Sequence, residues 1–168
     1  ITLLISFSAC EKYLDLEPQY TQDAENFFEN PSDYERALIG AYDLLQSAFL
    51  TSWIGEIASD NSIAGGESVT DTEGLHEIDE MRHDAVNTEL RNIFRWNYAG
   101  VTRANYILEH RDNIDFEGKE TILAEASFLR AYYYFELVKY FGAVPLVVDR
   151  RLGATEVTEV DRAPVSEV

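Results

Sequence analysis

The side chains best equipped for chemistry are the acids of one segment. Between Thr51 and Asp84 stand Glu56, Asp60, Glu67, Asp71, Glu73, Glu77, Asp79, Glu80 and Asp84, with Arg82 as the sole lysine or arginine among them. Carboxylates and amides at this density suit hard cations or hydroxylated ligands that accept and donate hydrogen bonds. A solvated acidic loop has the same composition. Paired acids such as Asp60 and Glu67 are the raw material of a glycosidase, but that reaction needs a carboxyl separation of roughly 5 to 9 Å, which sequence spacing does not set.

Histidines at 76, 83 and 110 offer acid–base or metal chemistry. His76 and His83 flank Asp79 and Glu80, yet the stretch beginning HEID departs from the HExxH zinc pattern, because position 80 is Glu. No metal site and no cofactor is expected. The chain also lacks a Gly-x-Ser-x-Gly elbow, a phosphate loop and a dinucleotide fingerprint, and Gly65-Gly66 is a turn signal. Trp53 and Trp96 are the rings suited to stacking on a sugar, whose C–H face complements a flat apolar surface with a polar edge. Trp53 stands at the entrance of the acidic segment. Trp96 falls inside a helical pattern and is expected as a core contact.

The single cysteine, Cys10, follows the apolar run ITLLISFSA. Nine residues are too few to cross a bilayer, which takes about 20 in a helix. An apolar run closing on small residues directly before Cys is the pattern of a bacterial lipoprotein signal, so residues 1–9 are expected to be its remnant and Cys10 the lipidated residue. One cysteine cannot form an internal disulfide.

The formal charge of −18, from 31 acidic and 13 basic residues, disfavours binding to a phosphate backbone or adsorption to an anionic bilayer. Membrane attachment would need a covalent or hydrophobic anchor.

The elements that must position these residues read as helices. Ala126, Leu129, Tyr133, Leu137 and Tyr140 recur at steps of three and four, predicting a helix that stops near Phe141, with Gly142 as a left-handed cap and Pro145 beyond. Aromatic residues surround this helix, so it is expected to be covered on more than one side. A second helix is predicted over 87–110, with Leu90, Phe94, Tyr98, Val101 and Leu108 on one face and Asn105 hydrogen-bonded among them. A third opens at a capping box of Ser32 and Glu35 and buries Tyr34, Ala37, Leu38, Ala41, Leu45 and Ala48. Thr51 to Asp84 is expected to be a long loop, Glu11 to Asn30 an extended arm, and Leu146-Val-Val148 a short strand-like piece. Pro164, Ser166 and Glu167 resemble the start of a further helix. The antiparallel pairing makes an all-α, tetratricopeptide-like hairpin without a strict repeat of about 34 residues.

Several stretches together resemble the SusD/RagB family. They are Cys10 followed by Tyr13-Leu-Asp-Leu-Glu-Pro18, AYDLL from Ala41, the Tyr98-x-x-Val-x-x-Ala-Asn105 helix, and above all AEASFLRAYYYFELVKYFGAVPLV from Ala124. The resemblance implies a lipoprotein at the outer membrane, facing the exterior, that binds oligosaccharides or other nutrients for a SusC-like TonB-dependent transporter and has no catalytic activity. It further implies tetratricopeptide-like helix pairs packed on a larger irregular lobe, in proteins about three times as long. On that basis residues 10–168 would be the N-terminal part of such a protein. Asp60-Asn61 after Ser59 matches the family's acidic loop start, and the expected ligand contacts are Trp53, Asp60, Asn61, Glu67 and Asp71.

Overall fold

The computed structural model describes residues 27–68, 70–148, 150–153, 156 and 159–168. Cys10, the apolar run before it and most of the expected N-terminal arm lie outside them. Among the described residues the chain is helical: α1 (Pro31–Asp43), a 3-10 turn (Leu44–Ser47), α2 (Ala48–Ile57), α3 (Glu73–Asp79), α4 (Thr88–Glu109) and α5 (Lys119–Phe141), then β1 (Val144–Pro145) paired antiparallel with β2 (Arg162–Ala163).

The two long helices form the frame. Ring contacts join Phe94 to Phe141 and Tyr98 to Tyr134, and Arg130 donates to Asn105 Oδ1 at 3.0 Å. Rising numbers on α4 meet falling numbers on α5, so the pair is an antiparallel hairpin. It is closed by the short connector 110–118. Helix α1 lies across both. Its Tyr34 and Ala41 are buried with Val101, Ile107, Ala126, Leu129, Tyr133 and Leu137 in one core. Where the three helices meet, the Tyr133 hydroxyl donates to Ala41 O at 2.6 Å.

Helix α1 begins two residues earlier than its Ser32–Glu35 pattern suggests. Asn30 is the cap: its Oδ1 accepts from the Asp33 N–H, and the Asp33 carboxylate accepts from the Asn30 N–H. Pro31 then takes the first helical position, where a missing N–H costs nothing. The helix breaks at Asp43 instead of running on to Ala48, so Leu45 and Ala48 are only half-buried.

The segment from Thr51 to Asp84 is not one long loop. Residues 51–57 complete α2, and α3 occupies 73–79. Ile54, Ile57, Ala64, Leu75, Ile78 and Ile93 form a second small core. The genuine loops are 58–72 and 80–87. Each is pinned: Asp79 Oδ2 accepts the Ala64 N–H at 3.0 Å, and Asn87 caps α4 while its Nδ2 reaches Gly74 O at 2.9 Å.

Helix α5 ends at Gly142, whose φ is 64° as a glycine terminus requires, although its ψ of −119° takes it away from the left-handed helical region. Strand β1 lies two residues before the expected piece. Among the described residues Leu146, Val147 and Val148 make no ladder; side chains bond the backbone of Pro145, Val147 and Val148 instead. Tyr134 Oη donates to Val147 O at 3.0 Å and accepts the Val147 N–H at 2.7 Å, Asn105 Nδ2 donates to Val147 O at 2.9 Å, and Tyr98 Oη donates to Pro145 O at 2.7 Å. Asn105 is buried and hydrogen-bonded, as its place in the pattern requires. At Pro164 a single turn forms, with Val168 N–H donating back to Pro164 O at 3.4 Å.

Helix α5 is not covered all round. Ala124, Phe128, Ala131 and Phe135 follow helical spacing and are exposed along one stripe. Among the described residues, no helix is long and apolar enough to cross a membrane.

Candidate functional site

Three large aromatic side chains stand exposed where α2 and α4 approach each other. Phe49 and Trp53 are one turn apart on α2 and share a face. Trp96 projects from the middle of α4, and it shares with Phe49 a groove of about 400 Å³ whose walls include Leu50, Gln46, Ser47 and Asn92. A second groove of about 500 Å³ opens on the other side of Trp96, lined by Asn92, Phe94, Arg95, Tyr98 and Thr102. Trp53 is 42% exposed, Trp96 46% and Phe49 63%, against near-complete burial of the aromatic residues in the main core.

The expectation that Trp96 is a core contact is therefore wrong. Its neighbour Asn97 turns inward and donates to Ile93 O at 2.9 Å, and the helical rotation of about 100° per residue that buries Asn97 leaves Trp96 in solvent. Trp53 is exposed too, but it rides on a helix and not at a loop entrance.

Chemically, this arrangement is a run of separated apolar platforms with amides beside them. Asn92 lines both grooves, while Gln46 Nε2 donates to Asp43 Oδ1 at 2.7 Å and is thereby oriented. Flat rings take the C–H faces of sugars, and amides or carboxylates take their hydroxyls.

Of the expected contacts, Trp53 joins this strip and the other four do not. Asp60 and Asn61 are exposed just past α2, where the Asn61 N–H donates to Ser59 Oγ at 3.2 Å. Glu67 and Asp71 come together in a tight turn in which the Glu67 N–H donates to Asp71 Oδ2 at 3.2 Å. Among the described residues, no group of three or more His, Cys, Asp or Glu is placed to hold a metal. Phe49 is the residue that sequence reading misses. Its signal is the four-residue step to Trp53, which appears only once 48–57 is read as helix.

Comparison with known proteins places the chain. A family model described as SusD-like, starch-binding and associating with the outer membrane matches residues 12–168. The chain belongs to the SusD-like family. All of it aligns with three SusD-like proteins of Formosa agariphila: P38 at 29% identity, P25 at 23% and P2 at 24%. It covers 34%, 35% and 34% of their lengths, so it spans about a third of these SusD-like relatives. No solved structure matches it.

Proposed function

We propose that residues 10–168 are the N-terminal part of a cell-surface lipoprotein that captures oligosaccharides and passes them to a SusC-like TonB-dependent transporter in the outer membrane. The observation that carries this reading is the exposed strip of Phe49, Trp53 and Trp96 beside the amides of Gln46 and Asn92, in a family described as starch-binding. The action is capture, not bond cleavage: stacking and hydrogen bonds hold the ligand until the transporter takes it. Asp60, Asn61, Glu67 and Asp71, on the exposed loop after α2, are polar contacts for a ligand longer than the strip. Cys10 carries the lipid that holds the protein on the outer face of the outer membrane.

Calorimetry of the complete protein against a panel of neutral and charged oligosaccharides tests the binding. Micromolar to millimolar affinity for at least one glycan is expected. No binding across the panel, or glycan hydrolysis by the purified protein, overturns the reading. A Cys10→Ala variant of the complete gene that still partitions with the outer membrane would rule out the anchor.

A further inference from the structure

Cations are scarce in this chain, 13 against 31 acids, and most of the described ones are already engaged. Lys119, Lys139 and five of the arginines each sit on a carboxylate. Arg111 and Arg130 donate to backbone carbonyls. Arg91, Arg95 and Arg162 have neither an ion pair nor a side-chain hydrogen bond among the described residues.

Two of these three share one cleft. Arg91 from α4 and Arg162 from β2 line a hollow of about 460 Å³ whose apolar wall is Leu90, Phe94, Phe141 and Pro145. Two chain segments 71 positions apart are thus brought together, and among the described residues neither guanidinium is ion-paired. Among the described residues, Asp84 is the one carboxylate on the lining. Its Oδ1 accepts the Val86 N–H at 2.9 Å, and no ion pair joins it to either arginine.

A guanidinium is a fork of donors matched to planar oxyanions, and rings beside it offer a surface for the C–H face of a pyranose. We infer that this cleft binds the acidic unit of a saccharide, with a carboxylate or sulfate ester on Arg91 and Arg162 and the sugar ring against Phe94 and Phe141. The inference rests on the glycan-binding reading above and names its substrate class. The remainder of the surface, at an overall formal charge of −18, repels polyanions.

The test is calorimetry of the complete protein with three probes: tetragalacturonate, a sulfated carrageenan tetrasaccharide and neutral maltotetraose. One acidic probe is expected to bind about tenfold tighter than maltotetraose. Arg91→Ala and Arg162→Ala should each weaken that binding by about tenfold, the loss of one charged hydrogen-bonding group. The corresponding Lys variants should weaken it less, and maltotetraose binding should stay within about twofold throughout. Lys119→Ala, at the far end of α5 from the cleft and paired with the exposed Asp115, serves as a charge-removing control expected to match the parent, and circular dichroism confirms that each variant folds. Which acidic probe binds separates uronate from sulfate recognition. If maltotetraose binds and neither acidic probe does, or if the Ala variants hold the acidic probe as the parent does, the inference is overturned and glycan binding stands. If none of the three binds, both fall.

Discussion

The ring of Tyr133 occupies the space that a side chain at Gly100 would need: a Cβ built there falls within 3.0 Å of three ring atoms. Helix α4 and helix α5 can approach this closely only because position 100 is bare, and the same ring sends its hydroxyl on to Ala41 of α1. Ala is the better helix former by about 1 kcal/mol. Here the overpacking outweighs it, since neither the root of a buried ring nor the helix backbone yields cheaply. Gly100→Ala is expected to lose a net 1 to 3 kcal/mol, roughly, in urea unfolding, and an unchanged midpoint would show that the helices separate freely. Tyr133→Phe, which strands a buried carbonyl, is expected to cost about 1 to 2 kcal/mol.

Asn105 ties the segment after α5 to the hairpin. Its Nδ2 donates to Val147 O and Arg150 O, at 2.9 and 3.2 Å, and its Oδ1 accepts from Arg130. Asn105→Ala leaves two carbonyls and a half-buried guanidinium short of a partner, a loss of about 2 to 3 kcal/mol. Limited proteolysis should then cut first between residues 146 and 153, whereas the parent resists there. Asn105→Asp should restore little, because a carboxylate cannot donate to either carbonyl.

Burial pushes the Tyr133 phenol up to about 12, and it raises Tyr98, Tyr134 and Tyr140 as well. A folded-state value above the unfolded value of 10.0 means that the native state keeps its protons longer. The resulting stability is complete below pH 10 and is lost as the pH climbs towards 12. Urea midpoints are expected to be flat between pH 8 and about 9.5 and to fall steeply above. A tyrosine that titrates one pH unit higher in the folded chain than in the unfolded chain gives up about 1.4 kcal/mol across that interval. Tyr133→Phe should soften the fall. Equal slopes in parent and variant would contradict the assignment.

The strip at Phe49, Trp53 and Trp96 makes a separable prediction. Because all three side chains keep roughly half of their surface in solvent, their replacement by Ala should cost about 1 to 2 kcal/mol each, well short of the roughly 3 to 5 kcal/mol of a fully buried aromatic residue. One stacked ring contributes on the order of 1 kcal/mol. Each single variant should therefore weaken glycan binding about fivefold, and the Trp53→Ala, Trp96→Ala pair about thirtyfold if the rings act independently. The share of ligand-induced fluorescence quenching that comes from Trp53 and Trp96 should be lost in the pair. Affinity unchanged in all three variants would move the ligand elsewhere on the molecule.

How much of this is legible in the sequence depends on the kind of signal. The α4–α5 hairpin is plain, because long runs of three-and-four spacing leave one interpretation and Gly142 closes the second helix. The first cap is ambiguous, since both Asn30–Asp33 and Ser32–Glu35 satisfy the capping pattern. Pro31 settles it, as proline belongs at the first helical position. Helix α2 is hidden because AFLTSWIGEI is apolar nearly throughout and carries a glycine. A short apolar run without a polar face does not declare its period, and contacts from Leu75, Ile78 and Ile93 hold it helical. The functional surface is the least legible. Whether Trp96 is covered depends on what packs across α4, and no local pattern records that. Arg91 and Arg162 become neighbours only through the strand pairing of residues 144–145 with 162–163.

The bare stripe of Ala124, Phe128, Ala131 and Phe135 sets a limit on colloidal behaviour. At neutral pH the charge of −18 keeps copies of the chain apart. Near its isoelectric point of about 4.3 that repulsion disappears while the stripe remains. Light scattering should show particle size rising sharply as the pH is brought from 7 towards 4.5, and a Phe128→Glu, Phe135→Lys double variant, neutral in net effect, should delay the rise. Solubility in this protein is thus a balance between a field that pH can switch off and a greasy line that it cannot.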